Sequence, residues 1–255
     1  MGMSWRWYAT STLAWHNETV NAATMFVGFV VFLDGLERAG RRLFDDDSSN
    51  VDAILAILAL VAFRACTATM FACSTAYHAF WPLSRRAYET LLRLDHACIV
   101  LCVGSYAYPT TSLVVGATRP RLLLAYWTVA TLVTIANVAT VWRGKGSNTN
   151  TTRRLLTTAT TAWFVPVLLL HGAFAGSSTS STSSTSSSCL DAYVRAVLVG
   201  LLYPLGALAY ATRVPDRLRP GWFDHVGSHE FMHACVLIAA VTHGKVFEDA
   251  LTIVS

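Results

Sequence analysis

The sequence predicts an all-α protein, a bundle of seven membrane-spanning helices, and three observations predict it. Charged residues make up only 13% of the 255-residue chain, against roughly 25% in an ordinary soluble domain. Hydrophobic residues make up 54%, and the mean hydropathy is +0.45. Stretches 96–118, 122–142 and 155–190 contain no Asp, Glu, Lys or Arg, and a bilayer-spanning helix needs about 20 mostly apolar residues. A soluble globular enzyme, a disordered chain and a secreted disulfide scaffold all fail against this composition. A multi-pass integral membrane protein fits it. The net charge of +4 comes without a basic stripe interleaved with aromatics, so nucleic acid is not an expected partner.

The elements follow in order. Residues 1–19 read as a short cytoplasmic segment; Trp5, Trp7, Trp15, His16 and Glu18 stand where a cleavable signal peptide would have a basic start and a clean apolar run. The seven-helix membrane domain is expected over 20–250. Its first helix is placed at 20–36. The second, 54–79, contains Arg64, which must face the bundle interior or snorkel. The third, 94–116, and the fourth, 121–142, fill two charge-free windows. The fifth, 155–175, precedes an unbroken Ser/Thr run at 177–188, which reads as a flexible loop. The sixth is placed at 191–212. The seventh, 228–250, is apolar mainly over 231–247 and leaves a tail at 251–255. Of six cysteines, none forms a CxxC pair, and five lie in apolar segments as small core residues.

Orientation follows from the basic residues. With the N-terminus cytoplasmic and the C-terminus outside, eleven Arg and Lys residues fall inside and six outside. The inside set clusters at Arg85, Arg86 and Arg93, at Arg143 to Arg154, and at Arg213 to Arg219. The Arg38–Arg42 cluster opposes the bias. In this topology the Ser/Thr run faces outside, and the sequon Asn150-Thr151-Thr152 is cytoplasmic and should go unused.

Ionisable residues converge at one membrane level. The second helix closes with Ser74-Thr75-Ala76-Tyr77-His78, the third opens at Leu94-Asp95-His96, and the seventh opens with His229-Glu230-Phe231-Met232-His233. The end of an even helix and the start of an odd one share a side, so His78, Asp95, His229 and His233 share a level in either orientation. His229 and His233 are four apart and project from one helical face roughly 6 Å apart, the spacing that lets two imidazoles hold one metal. A third ligand from another helix, with His78 as the best candidate, would leave one position for water, as in catalytic zinc sites. Neutral imidazole suits zinc. The other histidines, His16, His96, His171 and His225, read as interfacial or hydrogen-bonded residues. His243 lies about 21 Å along the helix from His229 and belongs to another level.

The run His229 to His233 also matches HExxH, and Leu33-Asp34-Gly35 resembles the second motif of intramembrane site-2 proteases. The order is reversed for those proteases, and Asp34 ends its helix at the opposite membrane face. An intramembrane metalloprotease is therefore a minor alternative.

Taken together the residues resemble the progestin and adipoQ receptor family, which includes the adiponectin receptors and hemolysin III-related proteins. His16-Asn17-Glu18-Thr19-Val20-Asn21 is similar to the family's opening segment. Ser74 to His78 with Asp95 and Gly104-Ser105 is similar to the central signature, and Phe223-Asp224 with Ser228-His229 and His233 to the closing one. Met25 after Thr24, His96 after Asp95, and Glu230 depart from common members without removing a ligand. The resemblance implies seven helices, a cytoplasmic N-terminus, and Zn2+ held by His78, His229 and His233 near the cytoplasmic face. It further implies a membrane lipid, ceramide-like or a fatty acid, within the bundle, with ceramidase-like activity.

Three functions fit that frame. The first is a zinc-dependent hydrolase of a lipid amide, in which Asp95 accepts the proton of the attacking water and Ser74 hydrogen-bonds the water or the oxyanion. Glu230 is the rival base. The second is a receptor with a structural zinc. The third is a protein of zinc or sterol homeostasis without turnover. A fourth protein ligand, for which His96 and His225 are candidates, would favour a structural metal.

Overall fold

Proline positions and helix-end chemistry set the limits of the helices. A computed structural model describes residues 18–45, 51–80, 83–115, 119–143, 158–162, 184–218 and 227–254. The helices are α1 (Thr19–Asp45), α2 (Val51–Phe80), α3 (Arg85–Ser105), α4 (Ala107–Val115), α5 (Pro120–Trp142), α6 (Ser184–Gly200), α7 (Leu202–Thr212) and α8 (Ser228–Val254), with a 3₁₀ turn at Asp216–Leu218. Among the described residues all regular structure is helical.

Two breaks have one cause. Proline lacks an amide hydrogen, and its ring clashes with the carbonyl four residues earlier. Pro109 thus opposes continuation through Ser105, where α3 ends, and Pro204 opposes it through Gly200, where α6 ends. The halves continue across each break: Arg85–Leu113 and Asp191–Leu218 each have the length and apolarity to cross a bilayer. So do Thr19–Phe44, Ala53–Phe80 and Pro120–Trp142. With α8, six of the seven expected helices are in place. The expected fifth, 155–175, lies mostly outside the described residues, although 158–161 are helical.

Three expected boundaries need correction. α1 runs nine residues past 36, to Asp45. Its polar end carries the i,i+4 ion pairs Arg38–Asp34 and Arg41–Glu37, which support an exposed helical turn. α3 begins at Arg85 rather than 94. Ser84 caps it, accepting a hydrogen bond from the Ala87 amide at 3.0 Å, and Arg85 pairs with Glu89 at 3.1 Å. Asp95 consequently sits well inside its helix. α6 begins at Ser184, inside the Ser/Thr run expected to be a loop; 177–183 lie outside the described residues. Apolar length alone misses helical turns that are polar but capped or paired.

The helices pack through small residues and rings. α2 is central, touching α1, α3, α4 and α8. Gly28 lies against the Phe71 ring, where a Cβ would stand 2.5 Å from ring carbons, and Gly104 lies against Thr134. Such close approach is how helices associate in an apolar medium, where van der Waals packing replaces the hydrophobic drive. Phe32, Phe63, Phe71 and Phe247 are fully buried. Phe63 meets Tyr106, Phe247 and Phe32 edge-on, at 4.8, 5.3 and 5.8 Å between ring centres. Outward, Phe26, Val30, Leu58, Leu132, Ile135, Leu198, Leu208 and Ile238 are exposed. In water that surface would be a liability; against acyl chains it is the favoured one. The chain is a multi-pass integral membrane protein.

Candidate metal centre

His78 closes α2, and His229 and His233 open α8. One ligand atom from each of the three lies within 4.8 Å of the others. Ring centres are 4.7 Å apart for His229–His233, 4.8 Å for His78–His233 and 5.2 Å for His78–His229. His78 is 2% exposed and His233 4%, and His229 is half-buried. Tyr77 flanks His78 and Tyr210 flanks His229, each at 5.0 Å between ring centres. The rings pack edge to face, and imidazoles gathered this way, two of them buried, are a costly arrangement without a partner for their nitrogens.

The donor set fits zinc. His233 Nδ1 is buried and has no protein hydrogen-bond partner, as a nitrogen serving a metal would not need one. His78 Nδ1 lies 2.7 Å from Glu18 Oε2, which directs its other nitrogen to a different task. That hydrogen bond, with Asn21 and the nearby imidazoles assisting and burial opposing, lowers the Glu18 carboxyl to about 2.

The beginning of α8 is fixed from two sides. The Ser228 amide and hydroxyl both donate to the Asp216 carboxylate, the amide at 2.8 Å and the hydroxyl at 2.5 Å. Glu230 reaches back to accept from the Gly227 amide at 2.7 Å, as the acid of a capping box does. Its other oxygen accepts from Asn21 Nδ2 at 2.9 Å. One Glu230 oxygen thus caps α8 and the other ties α8 to α1.

The remaining sequence candidates fall as follows. Ser74 is buried, one helical turn before His78. Asp95 is half-buried on α3, close enough to Tyr77 and Cys98 to act on both electrostatically. His96 is buried but is not one of the three clustered histidines. His225, His171, His16, Asn17, Phe223 and Asp224 lie outside the described residues. Asp34 is exposed and paired with Arg38; it stands sixteen residues along α1 from Glu18, about 24 Å. It cannot serve the histidines, so the protease reading loses its second motif.

Asn21 and Asp216 are contributors to the centre that residue-by-residue reading missed, and Glu18, in the polar segment at the start of the first helix, was given no role there. Glu18 and Asn21 stand three apart at the start of a helix, so a shared face was readable. What that face would meet was not.

The chain matches the family described as haemolysin-III related over residues 13–244. It is 28% identical over 239 residues to heptahelical transmembrane protein 1 of Arabidopsis thaliana, covering 91% of this chain and 69% of that protein. Heptahelical transmembrane protein 4 of the same plant is 56% identical over 48 residues, 18% of this chain and 12% of the relative. The adiponectin receptor protein of Drosophila melanogaster is 56% identical over 48 residues, 18% of this chain and 11% of the relative. The latter two matches thus span well under two thirds of those relatives.

Proposed function

The chain belongs to the haemolysin-III related family, and from that premise we propose that it is a zinc-dependent membrane hydrolase acting on a ceramide-like lipid amide. The observation carrying the proposal is the group of three imidazoles, from two helices, with ligand atoms within 4.8 Å of one another. Zinc held by His78, His229 and His233 would polarise the amide carbonyl and lower the pKa of a water to about 7.

The chain's own residues supply the rest. Asp95 accepts the proton as the water oxygen bonds to the amide carbon, then delivers it to the leaving amine as the C–N bond breaks. Its electrostatic reach to Tyr77, the residue before His78, supports that role. Ser74 donates a hydrogen bond to the developing oxyanion. Glu230 is a poorer base, since its two oxygens already accept from Asn21 and Gly227. The histidines lie at a helix-end level, where an amide at headgroup depth reaches them while acyl chains lie along the bundle.

The second reading, a receptor with a structural metal, draws on the Drosophila relative's name. One assay separates the two. Purified protein should release sphingosine and fatty acid from ceramide, and chelation should stop it. Asp95→Asn should retain zinc and lower kcat by about 10²–10⁴. An Asp95→Asn enzyme as fast as the parent removes Asp95 as the base. A parent with no zinc-dependent turnover of any ceramide leaves the receptor reading in possession.

A further inference from the structure

A chain of hydrogen bonds ties His78, and the head of the helix that carries His229 and His233, to the start of α1. His78 Nδ1 meets Glu18 Oε2 at 2.7 Å. Asn21 Nδ2 donates to the same Glu18 oxygen at 3.0 Å and to Glu230 Oε1 at 2.9 Å. Glu230 then accepts from the Gly227 amide at the head of the helix carrying His229 and His233. Glu18, just before α1, and Asn21, in its first turn, therefore link the end of α2 to the start of α8. Asn21 is 1% exposed, so its bridge is made away from solvent competition.

Local structure puts Glu18 there. Its carbonyl accepts the first helical bond of α1, from the Ala22 amide at 2.9 Å, which places Glu18 at the helix N-terminus. The unsatisfied amides of a helix start favour a carboxylate. The three-residue spacing to Asn21 stacks both side chains on one face.

We infer that Glu18 is a positioning residue for the metal centre, fixing His78 with its proton on Nδ1 so that Nε2 faces the ion, and that Asn21 and Glu230 extend this brace to the other two ligands. The inference rests on the zinc reading above. Which nitrogen of a histidine binds metal is set by the hydrogen bond the other makes, and a carboxylate on that other nitrogen orients the ring and raises its basicity. Charge gives a second reason. Three neutral imidazoles leave a divalent ion uncompensated in a poorly solvated site, and Glu18 and Glu230 bring two negative charges to its edge.

The test measures zinc affinity of the full chain by competition with a chromophoric chelator. It also records the visible spectrum of the cobalt(II)-substituted protein, which reports ligand geometry. Parent, Glu18→Ala and Glu18→Gln are compared, with the thermal midpoint of each in metal-free form. Glu18→Ala should weaken zinc about 10–100-fold. Glu18→Gln should weaken it less, because the amide oxygen still accepts from Nδ1–H without carrying the charge. The cobalt spectrum should shift in both, while the metal-free midpoint of Glu18→Gln stays with the parent. A loss of stability alone would leave that spectrum unmoved. Glu18 variants with parental affinity and a parental cobalt spectrum overturn the inference and leave the zinc site standing. If Glu18→Ala does not fold, parental behaviour of Glu18→Gln has the same force. A parent that takes up neither metal overturns both readings.

Discussion

His78, His229 and His233 meet one another, whereas the buried His243 meets protein atoms. Its Nε2 lies 2.7 Å from the Ala196 carbonyl and its Nδ1 3.4 Å from the Tyr203 hydroxyl, with the Tyr203 ring stacked on it. Both of its nitrogens are occupied, so it has no capacity left for an ion. The expected outcome is about one zinc per purified chain, lost on His78→Ala or on the His229→Ala/His233→Ala double change, and kept on His243→Ala. Metal analysis after gel filtration reads this directly. Full zinc retention in the double variant would end the assignment. His243→Ala should instead lower the thermal midpoint, because a buried carbonyl loses its donor, at about 1–3 kcal/mol.

At the scale of helices, a second polar layer lies away from the histidines and serves packing. Arg64 of α2 is 3% exposed and meets Glu248 of α8 at 2.8 Å, with its guanidinium 5.1 Å from the centre of the Phe32 ring. Gly35 on α1 and Gly244 on α8 make room for it. A Cβ at those positions would approach the guanidinium to 2.6 and 2.8 Å. An arginine is tolerated inside an apolar bundle only when paired and enclosed in this way. Removing the partner strands a buried charge, so Glu248→Ala should destabilise by about 3 kcal/mol; Glu248 is partly exposed, which argues for the lower part of the usual range. Gly244→Ala should cost about 1–3 kcal/mol by displacing the guanidinium. Neither should change zinc content, since Arg64 is fourteen residues, about 21 Å, from His78 along α2. A Glu248→Ala protein melting with the parent would show that the pair contributes nothing.

For the molecule as a whole, the distribution of basic residues predicts a cytoplasmic N-terminus. A protease added to intact cells should spare a tag at the N-terminus and digest one at the C-terminus. The reverse pattern would place the histidine level outside, away from cytoplasmic lipid headgroups. Long apolar faces on α1, α2, α5, α6, α7 and α8 remain exposed in the isolated chain, which is the arrangement a bilayer satisfies.

Class, six of the helices and the grouping of His78, His229 and His233 were readable because each depends on simple regularities. Apolar length marks a span, the i,i+4 spacing pairs His229 with His233, and the alternation of helix direction returns His78 to their level. The ends of α1 and α3 were not readable by the same rule, because capped and ion-paired turns extend a helix without apolar length. Nor were the breaks before Pro109 and Pro204 drawn from apolar windows, although proline's clash with the carbonyl four residues back explains both. The brace from Glu18 through Asn21 to Glu230 lay beyond any local rule. It joins positions 209 residues apart, and only the packing of α1 between α2 and α8 decides that two polar side chains at a helix start meet a histidine on one neighbour and a capping glutamate on the other.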